Sequence, residues 1–423
     1  MKTSRKKIAV IGGGISGLGA AYLLKDATDL TLFEKNAYLG GHSRTLEVEV
    51  SGKTVPVDTG FIVYNERNYP LLTGLFRHLE VPVVESNMSF GVSINDGWLE
   101  FSSGGLQGLF GSIRNLTNPK MWRLVSDILK FNRGAMKYLE APGDISLGQC
   151  LDEIGVSDWF RYYYILPMGG SIWSCPVEQI LNFPAAAFLR FFNNHGLLTV
   201  ADQPQWYSVV GGSKEYVNRL IDQFSGQIKI RSGAKSVSRI SDGVQVTDET
   251  GEVAVFDEVI IAAHADEALK LNETPTPDEE EILSAFKYQP NEVILHTDDS
   301  FMPKRRSAWA SWIYSSEEKA DRSYAISLSY WMNNLQALDT DTDVFVTLNP
   351  GKAPAEKTIL NRHIFDHPVF DQASIEAQKR IEEIQGKDRV WYCGAYQRNG
   401  FHEDGLWSAV RVAEKMGITP SWI

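Results

Sequence analysis

Three glycines near the amino terminus have the spacing of a phosphate-binding loop. Gly12, Gly14 and Gly17 follow a short apolar run that predicts a buried strand, and an apolar segment with helical spacing comes after them. In such a loop the first glycine allows a tight turn, the second lets a pyrophosphate approach the backbone, and the third lets the helix lie close to the sheet. The helix amino terminus offers free N–H groups and partial positive charge, so we expect Ile15 and Ser16 to contact the phosphates as well.

A carboxylate follows this loop at the distance that a ribose-binding acid requires. Glu34 ends a second predicted strand, Asp29–Phe33, about 20 positions after the first glycine. A glycine loop alone often arises by chance, but the ordered succession of strand, loop, helix, strand and acid indicates a dinucleotide-binding domain. The pattern therefore predicts a Rossmann-type domain, and by itself it does not distinguish NAD from FAD.

The segments after Glu34 carry a resemblance to a known family. They are Leu39-Gly40-Gly41-His42-Ser43-Arg44-Thr45 and Val57-Asp58-Thr59-Gly60. Both resemble the flavin-containing amine oxidase superfamily, which also includes phytoene desaturases and protoporphyrinogen oxidases. The family usually has an Arg where this chain has His42, so either Arg44 takes over that role or the site uses backbone contacts. The resemblance implies FAD as the cofactor, with contacts at Lys35, Gly40, Gly41, His42, Arg44, Thr59 and Gly60.

A second glycine-containing segment lies near the carboxyl terminus. Arg389–Cys393 predicts a buried strand that ends at Gly394, and Gly405 is predicted to open a helix that continues with Leu406. Strand, loop and helix again form an anion-binding geometry. In the resembled superfamily this segment passes along the ribityl chain and the flavin, which adds Gly394, Gly405 and Leu406 to the implied contacts. A plain strand–helix unit is the alternative.

A third segment completes the predicted cofactor domain. A predicted helix, Lys214–Phe224, is followed by short strands that alternate apolar and polar residues, and then by the apolar run 257–264. The resembled superfamily places such a strand under the cofactor and the hairpins above it, with Val237 on the adenine side. The FAD-binding domain is thus predicted from three segments, namely 1–66, 205–290 and 385–423.

The insertions between these segments, 67–204 and 291–384, are predicted to form a substrate domain. Its predicted elements are a hairpin that turns at Asp96-Gly97, a helix over Met121–Leu139 with Trp122, Val125 and Leu129 on one side, and strands at Asn291–His296, Ala308–Ile313 and Tyr324–Trp331. The predicted fold class is α/β: a Rossmann-type FAD-binding domain, three-layered with a mainly parallel sheet, that carries an inserted α+β substrate domain built on an antiparallel sheet.

Two side chains are candidates for chemistry at the flavin. His402 stands three residues before Gly405, where some amine oxidases place an aromatic wall of the substrate cage. A His there could donate a hydrogen bond or relay a proton, and a loop His bonded to backbone is the alternative. Some amine oxidases also hold a water with a Lys, which nominates Lys304. Because Lys304 adjoins Arg305 and Arg306, a solvated basic loop is the competing interpretation.

No metal site is predicted. His363 and His367 have a spacing that suits a metal only on a helix, and Pro368 follows directly. The three cysteines, Cys150, Cys175 and Cys393, form no C-x-x-C pair, so a disulfide framework is not expected and a reducing compartment is the default.

A narrower resemblance bears on the substrate. Tyr38–His42, Asp58–Asn65 and Arg362–Pro368 are similar to the flavin-binding region fused ahead of plant cyclopropane-fatty-acid synthases and to the stand-alone bacterial proteins of that group. This implies a small apolar or fatty acyl substrate, so the predicted function is an FAD-dependent oxidoreductase that oxidises or desaturates a lipid-like chain by hydride transfer. The alternatives are a flavin amine oxidase, or a non-catalytic flavin-bound partner of a lipid-modifying methyltransferase.

Charge and hydropathy limit the partners. A net charge of -12 argues against nucleic-acid binding, which needs clustered cations. The short basic groups Arg5-Lys6-Lys7 and Lys304-Arg305-Arg306 could touch an anionic lipid surface, although a solvated face is their ordinary interpretation. The chain has no apolar run of about 18 residues, so we expect a soluble cytoplasmic protein, with peripheral membrane contact as the further alternative.

Overall fold

The computed structural model describes residues 5–139, 145–173, 180–194, 196–199, 203–318 and 324–422. Cys175 lies outside these residues, and Cys150 and Cys393 are buried free thiols. The strands are, in chain order, β1 Lys7–Ile11, β2 Asp29–Glu34, β3 Thr45–Val50, β4 Lys53–Asp58, β5 Val63–Asn65, β6 Val83–Ser86, β7 Phe90–Ile94, β8 Leu99–Ser102, β9 Trp206–Val209, β10 Gln227–Ile230, β11 Ala234–Ile240, β12 Gly243–Asp248, β13 Val253–Phe256, β14 Glu258–Ile261, β15 Lys287–His296, β16 Trp312–Glu318, β17 Tyr324–Trp331, β18 Phe345–Leu348, β19 Ile359–Val369 and β20 Val390–Tyr392. The α-helices are α1 Ile15–Leu24, α2 Pro70–His78, α3 Gly105–Phe110, α4 Ile113–Thr117, α5 Pro119–Ala135, α6 Leu147–Ile154, α7 Asp158–Phe160, α8 Leu166–Trp173, α9 Ala185–Asn194, α10 Lys214–Asp222, α11 Ala265–Leu271, α12 Pro277–Ser284, α13 Met332–Gln336, α14 Gln372–Arg380 and α15 His402–Lys415.

A five-stranded parallel sheet, in the order β10-β2-β1-β14-β20, carries the amino-terminal glycine loop. The register pairs Ile11 with both Phe33 and Ile261, and Ile261 with Tyr392. The four strands therefore end side by side, and the loops that leave them gather at one edge. In open parallel sheets this carboxyl edge is where ligands bind. The prediction of a mainly parallel Rossmann-type sheet is confirmed.

Helix α15 packs directly on α1, and small residues make the close approach possible. A Cβ added at Gly405 would lie 2.8 Å from Ile15 Cγ2 and 3.0 Å from Ser16 Oγ, and one added at Gly19 would lie 2.8 Å from Leu406 Cδ1. The sequence pattern predicted that this helix opens at Gly405, but it begins at His402. The expectation was wrong because Gly405 serves a helix–helix contact rather than the start of the helix.

A seven-stranded sheet stands beside this unit, in the order β19-β15-β18-β17-β16-β7-β8. Its pairs are antiparallel except β16 with β7, which confirms the α/β class with a second, antiparallel-rich sheet. The predicted hairpin at Asp96-Gly97 joins β7 to β8. The strand predicted over Ala308–Ile313 begins instead at Trp312, because Arg306–Ala308 forms a 3₁₀ turn.

Helix α5 is helical where the sequence predicts it, but the predicted side faces outward. Met121, Leu124 and Phe131 are buried, whereas Trp122 and Leu129 are exposed. Apolar residues lie on both sides of this helix, so their spacing did not identify the buried side.

The segment that follows β5 packs with the glycine-loop helix. Leu72, Leu75 and Phe76 of α2 are buried in the same apolar core as α1 and α15. The domain boundary predicted between residues 66 and 67 therefore falls inside a packed unit. None of the described helices is long and apolar enough to cross a membrane.

Candidate active site

Of the three loop glycines, one has room for a side chain and two do not. A Cβ added at Gly17 would lie 1.9 Å from Gly12 O, and one added at Gly12, whose φ is +105°, would lie 2.4 Å from Ala262 O. A Cβ added at Gly14 would meet no atom within 4 Å. Gly14 caps α1 without a side-chain hydrogen bond, and the first turn holds no acid. No N-cap side chain and no acid of the first turn therefore bonds the first N–H groups of α1, which suits an anion-binding helix terminus.

A second glycine pair lies against this loop. Gly40 N donates to Gly13 O at 2.8 Å, and a Cβ added at Gly41 would lie 3.1 Å from the Cα of Gly14. Both residues have positive φ, +118° and +58°, which favours glycine at each. The Gly40-Gly41 turn therefore forms a second side of the space in front of α1.

Glu34 is fixed at the carboxyl edge by the backbone around it. Its Oε2 accepts from Gly13 N, and its Oε1 accepts from both nitrogens of Asn36, all at 2.7 Å. The residue is only 5% exposed. The carboxylate is thereby held beside the glycine loop, where a ribose would meet it. Lys35 is exposed and paired with Glu267 at 2.6 Å, so its charge is already compensated.

His42, which replaces the family's usual Arg, belongs to an aromatic cluster. Its ring stacks on Phe365 at 4.4 Å and lies 5.5 Å from His367 and 6.5 Å from His264. Burial, with the neighbouring His367, holds the pKa of His42 well below its usual value. The ring is therefore neutral at physiological pH. Within the described part of the chain, no three His, Cys, Asp or Glu side chains are arranged to hold a metal ion.

Arg44 carries the positive charge that His42 lacks. Its Nη1 donates to Thr59 Oγ1 at 3.1 Å and its Nη2 to Asn361 Oδ1 at 3.2 Å. Burial lowers the pKa of Arg44, and Tyr38 opposes that shift, yet a guanidinium stays charged in proteins. No carboxylate of the described residues pairs with it, so its charge remains available to an anion. Residue 60 is a glycine because the Cβ of any other residue would lie 2.2 Å from His42 O.

A buried carboxylate positions the strand that leads into Thr59 and Gly60. Asp58 is fully buried and accepts from Ser213 N and Oγ, from Thr45 Oγ1 and from Gln336 Nε2, at 2.5–3.0 Å. Burial raises the pKa of Asp58 to about 6 despite these bonds. Asp58 thus ties the end of β4 to the start of α10 and to α13.

His402 is the first residue of α15 and contacts side chains from two other elements. Its ring stacks on Phe61, with centroids 4.0 Å apart and planes 11° apart. Its Nε2 lies 2.7 Å from Tyr216 Oη and 3.3 Å from Ser43 Oγ. Burial lowers the pKa of His402 to about 3. The imidazole is therefore a neutral hydrogen-bonding group, and its partners are side chains rather than the backbone.

The remaining predicted residues take different places. Gly394 follows β20 at the carboxyl edge, and its N–H donates to Ser408 Oγ at 2.9 Å. Val237 is a fully buried core residue whose carbonyl accepts from Glu273 N at 3.0 Å. Lys304 is 61% exposed and paired with Asp96 at 2.6 Å. The structure does not bring Lys304 to this site, because its contacts lie at the tip of the β7–β8 hairpin.

Sequence reasoning missed four residues that the structure brings to the site. His264 follows β14 at the carboxyl edge, where it stacks on Tyr288 at 4.4 Å. Phe61 and Tyr216 hold His402, and His367 adjoins His42. The rule that ligands bind at the carboxyl ends of parallel strands could have nominated His264.

Comparisons with known proteins agree with this geometry. Residues 15–337 match the sequence model of the family described as flavin containing amine oxidoreductase. A stretch of 47 residues is 51% identical to the carotenoid 3,4-desaturase of Haloarcula japonica, which covers 11% of this chain and 10% of that protein.

Solved structures share the fold at low identity. The chain is similar to a CLA-producing fatty acid isomerase from P. acnes, with a TM-score of 0.69 at 15% identity over 98% of this chain and 99% of that one. It is also similar to cyclohexylamine oxidase from Brevibacterium oxydans IH-35A, with a TM-score of 0.68 at 15% identity over 98% of this chain and 100% of that one.

The residues present fit the cofactor of this family. The space in front of Gly14, the N–H groups of α1 and the uncompensated Arg44 suit a pyrophosphate, and the Glu34 carboxylate suits a ribose. The predictions of an FAD-binding enzyme and of the amine oxidase superfamily are confirmed by the family match.

Proposed function

The chain belongs to the flavin-containing amine oxidoreductase family, and within that family we propose that it oxidises or desaturates a lipid-like, fatty acyl substrate. FAD, when bound, supplies the hydride acceptor for such a reaction. The chain itself must bind an apolar substrate, exclude water and hold polar groups near the reacting carbon. The proposal rests on the aromatic side chains around Phe401, the residue next to His402.

Phe401 packs against the hydrophobic core that the helices of the 67–204 segment form. Phe401, the residue before His402, stacks on Phe191 of α9 at 4.9 Å, and Phe188 stacks on Phe192 of the same helix at 4.2 Å. Partly buried hydrophobic side chains that pack against this core include Phe90, Ile145, Tyr163, Tyr164, Ile172, Leu197 and Ile326. A substrate that contacted these side chains would be a hydrocarbon chain rather than a cation, because they offer a charge no compensation.

The two acids that follow His402 in the chain accept hydrogen bonds from backbone N–H groups. Glu403 accepts from Leu71 N and Leu72 N at the start of α2, both at 2.9 Å. Asp404 accepts from Phe401 N at 2.9 Å. Burial raises the pKa of Glu403 to about 7 and that of Asp404 to about 6. Both carboxyls are thus committed to backbone N–H groups, which disfavours a site for an alkylammonium.

His402 is the proposed catalytic residue, as a neutral hydrogen-bonding group. Phe61 stacked on its ring and Tyr216 bonded to Nε2 fix its orientation. Because burial keeps the imidazole neutral, it can accept a proton only transiently or orient a polar substrate group. A positioned proton carrier contributes about 100-fold or more to a rate.

Anaerobic bleaching of the flavin tests this proposal. The holoprotein is mixed with fatty acyl phospholipid in detergent, or with putrescine or cyclohexylamine, and the visible flavin absorbance is followed. We expect bleaching by the acyl lipid, little by the amines, and about a 100-fold slower rate in His402→Ala. His78→Ala, an exposed histidine on α2, is the matched control.

Two results would overturn the proposal. Rapid bleaching by the amines would move the chain to amine oxidation. No bleaching by any acyl lipid, with tight capture of a lipid-modifying methyltransferase, would favour the flavin-bound partner instead.

A further inference from the structure

The helices α3, α4 and α5 expose a group of large apolar side chains. We define the docking face by the exposed apolar residues Leu106, Ile113, Leu116, Trp122, Leu129 and Met136, which are between 49% and 82% exposed. The three helices meet at Trp122 of α5, whose ring stacks on Phe110 of α3 at 4.5 Å and whose Nε1 donates to Leu116 O of α4 at 2.8 Å. Single exposed apolar residues are ordinary, but a cluster of this size marks an interaction surface.

Helix α5 has two apolar sides. Met121, Leu124 and Phe131 pack into the helical core. Trp122 and Leu129 of α5 form an exposed stripe along another side, and Met136, in the 3₁₀ turn that follows α5, continues it at the same spacing of seven residues. A surface helix of a globular protein needs one apolar side to face the core. Trp122 stays 53% exposed although it contacts Phe110 and Leu116, and Leu129 and Met136 are exposed as well, so full burial of this stripe requires a further surface.

The docking face is basic in an acidic protein. Residues 105–137 contain six Lys and Arg and one Asp, a net charge of +5, while the whole chain has a net charge of -12. The single acid, Asp127, is buried and paired with Arg123. The other five cations are exposed, and Lys137 alone among them has a carboxylate of the described residues, Glu153, as an electrostatic neighbour; they are Arg114, Lys120, Lys130, Arg133 and Lys137.

We propose that the docking face seats this protein on a bilayer that contains anionic phospholipid. Apolar residues on one stripe and Lys and Arg beside them are the pattern of helices that lie in a membrane interface, with apolar side chains about 5–10 Å into the lipid. The indole N–H of Trp122 is already bonded to Leu116 O, so this ring can enter the interface without an unpaired donor.

The positive charge of the docking face argues against a second copy of the chain as its partner. Two copies of the chain that met through this face would bring together two surfaces of net charge +5, which opposes association. A bilayer with anionic headgroups is attracted to each cation near its surface. The stripe is also long enough to lie along a flat bilayer surface, because Trp122 and Met136 are 14 positions apart, about 21 Å along a helix axis.

Vesicle sedimentation of the holoprotein tests the proposal without any enzymatic turnover. The vesicles are pure phosphatidylcholine, or phosphatidylcholine with phosphatidylglycerol. We expect binding only to the second kind, and weaker binding as salt rises. Arg114→Gln with Arg133→Gln and Lys137→Gln should weaken binding by about 100-fold. Ile113→Ser with Leu129→Ser should weaken binding at every salt concentration.

The matched control removes three exposed cations elsewhere, by Lys53→Gln, Lys352→Gln and Lys357→Gln. It should bind the anionic vesicles as the parent does. Equal loss in the control and in the face variant would overturn the proposal, because binding would then follow total charge. Equal binding to both kinds of vesicle would overturn it as well. So would a dimer in sedimentation velocity that Leu129→Ser abolishes, since the face would then be an interface between copies.

Discussion

Gly14→Ala should separate cofactor binding from folding. Gly14 has φ -76° and ψ -178°, which alanine adopts without strain. The new methyl would meet no protein atom within 4 Å. We therefore expect the stability of the apoprotein to be unchanged or raised by about 0.4–1 kcal/mol, because alanine has less conformational freedom in the unfolded chain.

The same methyl group would occupy the space that a pyrophosphate needs. It lies in front of the first turn of α1, whose N–H groups have no side-chain cap. A hydrogen bond to a charged group contributes about 1.5–3 kcal/mol. The loss of one such bond would weaken FAD binding by about 10- to 100-fold.

Two neighbouring glycines provide the comparison. Gly17→Ala would place a Cβ 1.9 Å from Gly12 O, and Gly12→Ala would place one 2.4 Å from Ala262 O. Both should unfold at lower urea concentration as apoproteins, whereas Gly14→Ala should not. FAD affinity is measured by quenching of flavin fluorescence and stability by urea unfolding. Wild-type FAD affinity in Gly14→Ala, or unfolding as early as in Gly17→Ala, would refute this account of the loop.

Three further changes test the rest of the site. Glu34→Ala leaves Gly13 N and Asn36 N without their acceptor, so it should lower FAD affinity by tenfold or more and should also lower the urea midpoint of the apoprotein. Glu280→Ala, which removes an exposed acid on α12, should change neither. Arg44→Leu should weaken FAD binding by about tenfold and Arg44→Lys by less, measured by the same titration, because the charge is the shared feature. Burial raises the pKa of Glu403 from 4.5 to about 7, so the folded chain favours the protonated acid. The stability that this contributes is present below pH 4.5 and is lost as the pH rises through 7. Glu403→Gln should remove about 3 kcal/mol of this pH dependence in urea unfolding, and an unaltered pH profile would contradict the assignment.

Local patterns predicted the amino-terminal unit well. The strands predicted at Lys7–Ile11 and Asp29–Phe33 appear as β1 and β2, because apolar runs between a charged start and a glycine or acid leave little choice of element. The carboxyl-terminal helix shows the limit of the same reasoning. Gly405 was interpreted as the start of a helix, but its lack of a side chain serves the contact with Ile15, a partner far away in sequence.

The aromatic cluster around His42 depends on contacts that no local pattern encodes. His363, Phe365 and His367 alternate along β19, and the antiparallel pairing of β19 with β15 sets the side on which they lie. The sequence analysis tested the two histidines only for helical metal binding, since that is the geometry that their spacing suggests. On a strand the same spacing puts both on one face, with Phe365 between them against His42.

Helix α5 contacts both the core next to His402 and the docking face, so one experiment can test both proposals. Its inner side contributes Met121, Leu124 and Phe131 to the core that also holds Phe191, and Phe191 stacks on Phe401 beside His402. Its outer stripe is part of the docking face. A fatty acyl chain that passed from a bilayer to this core would not have to enter water, at a saving of about 0.8 kcal/mol for each CH₂ group. Flavin bleaching by acyl lipid embedded in anionic vesicles should therefore slow in the triple variant that lacks Arg114, Arg133 and Lys137, while bleaching by the same lipid in detergent should not. Equal slowing in both media would mean that these cations act on the site itself, and no slowing in either would mean that substrate reaches His402 without the docking face.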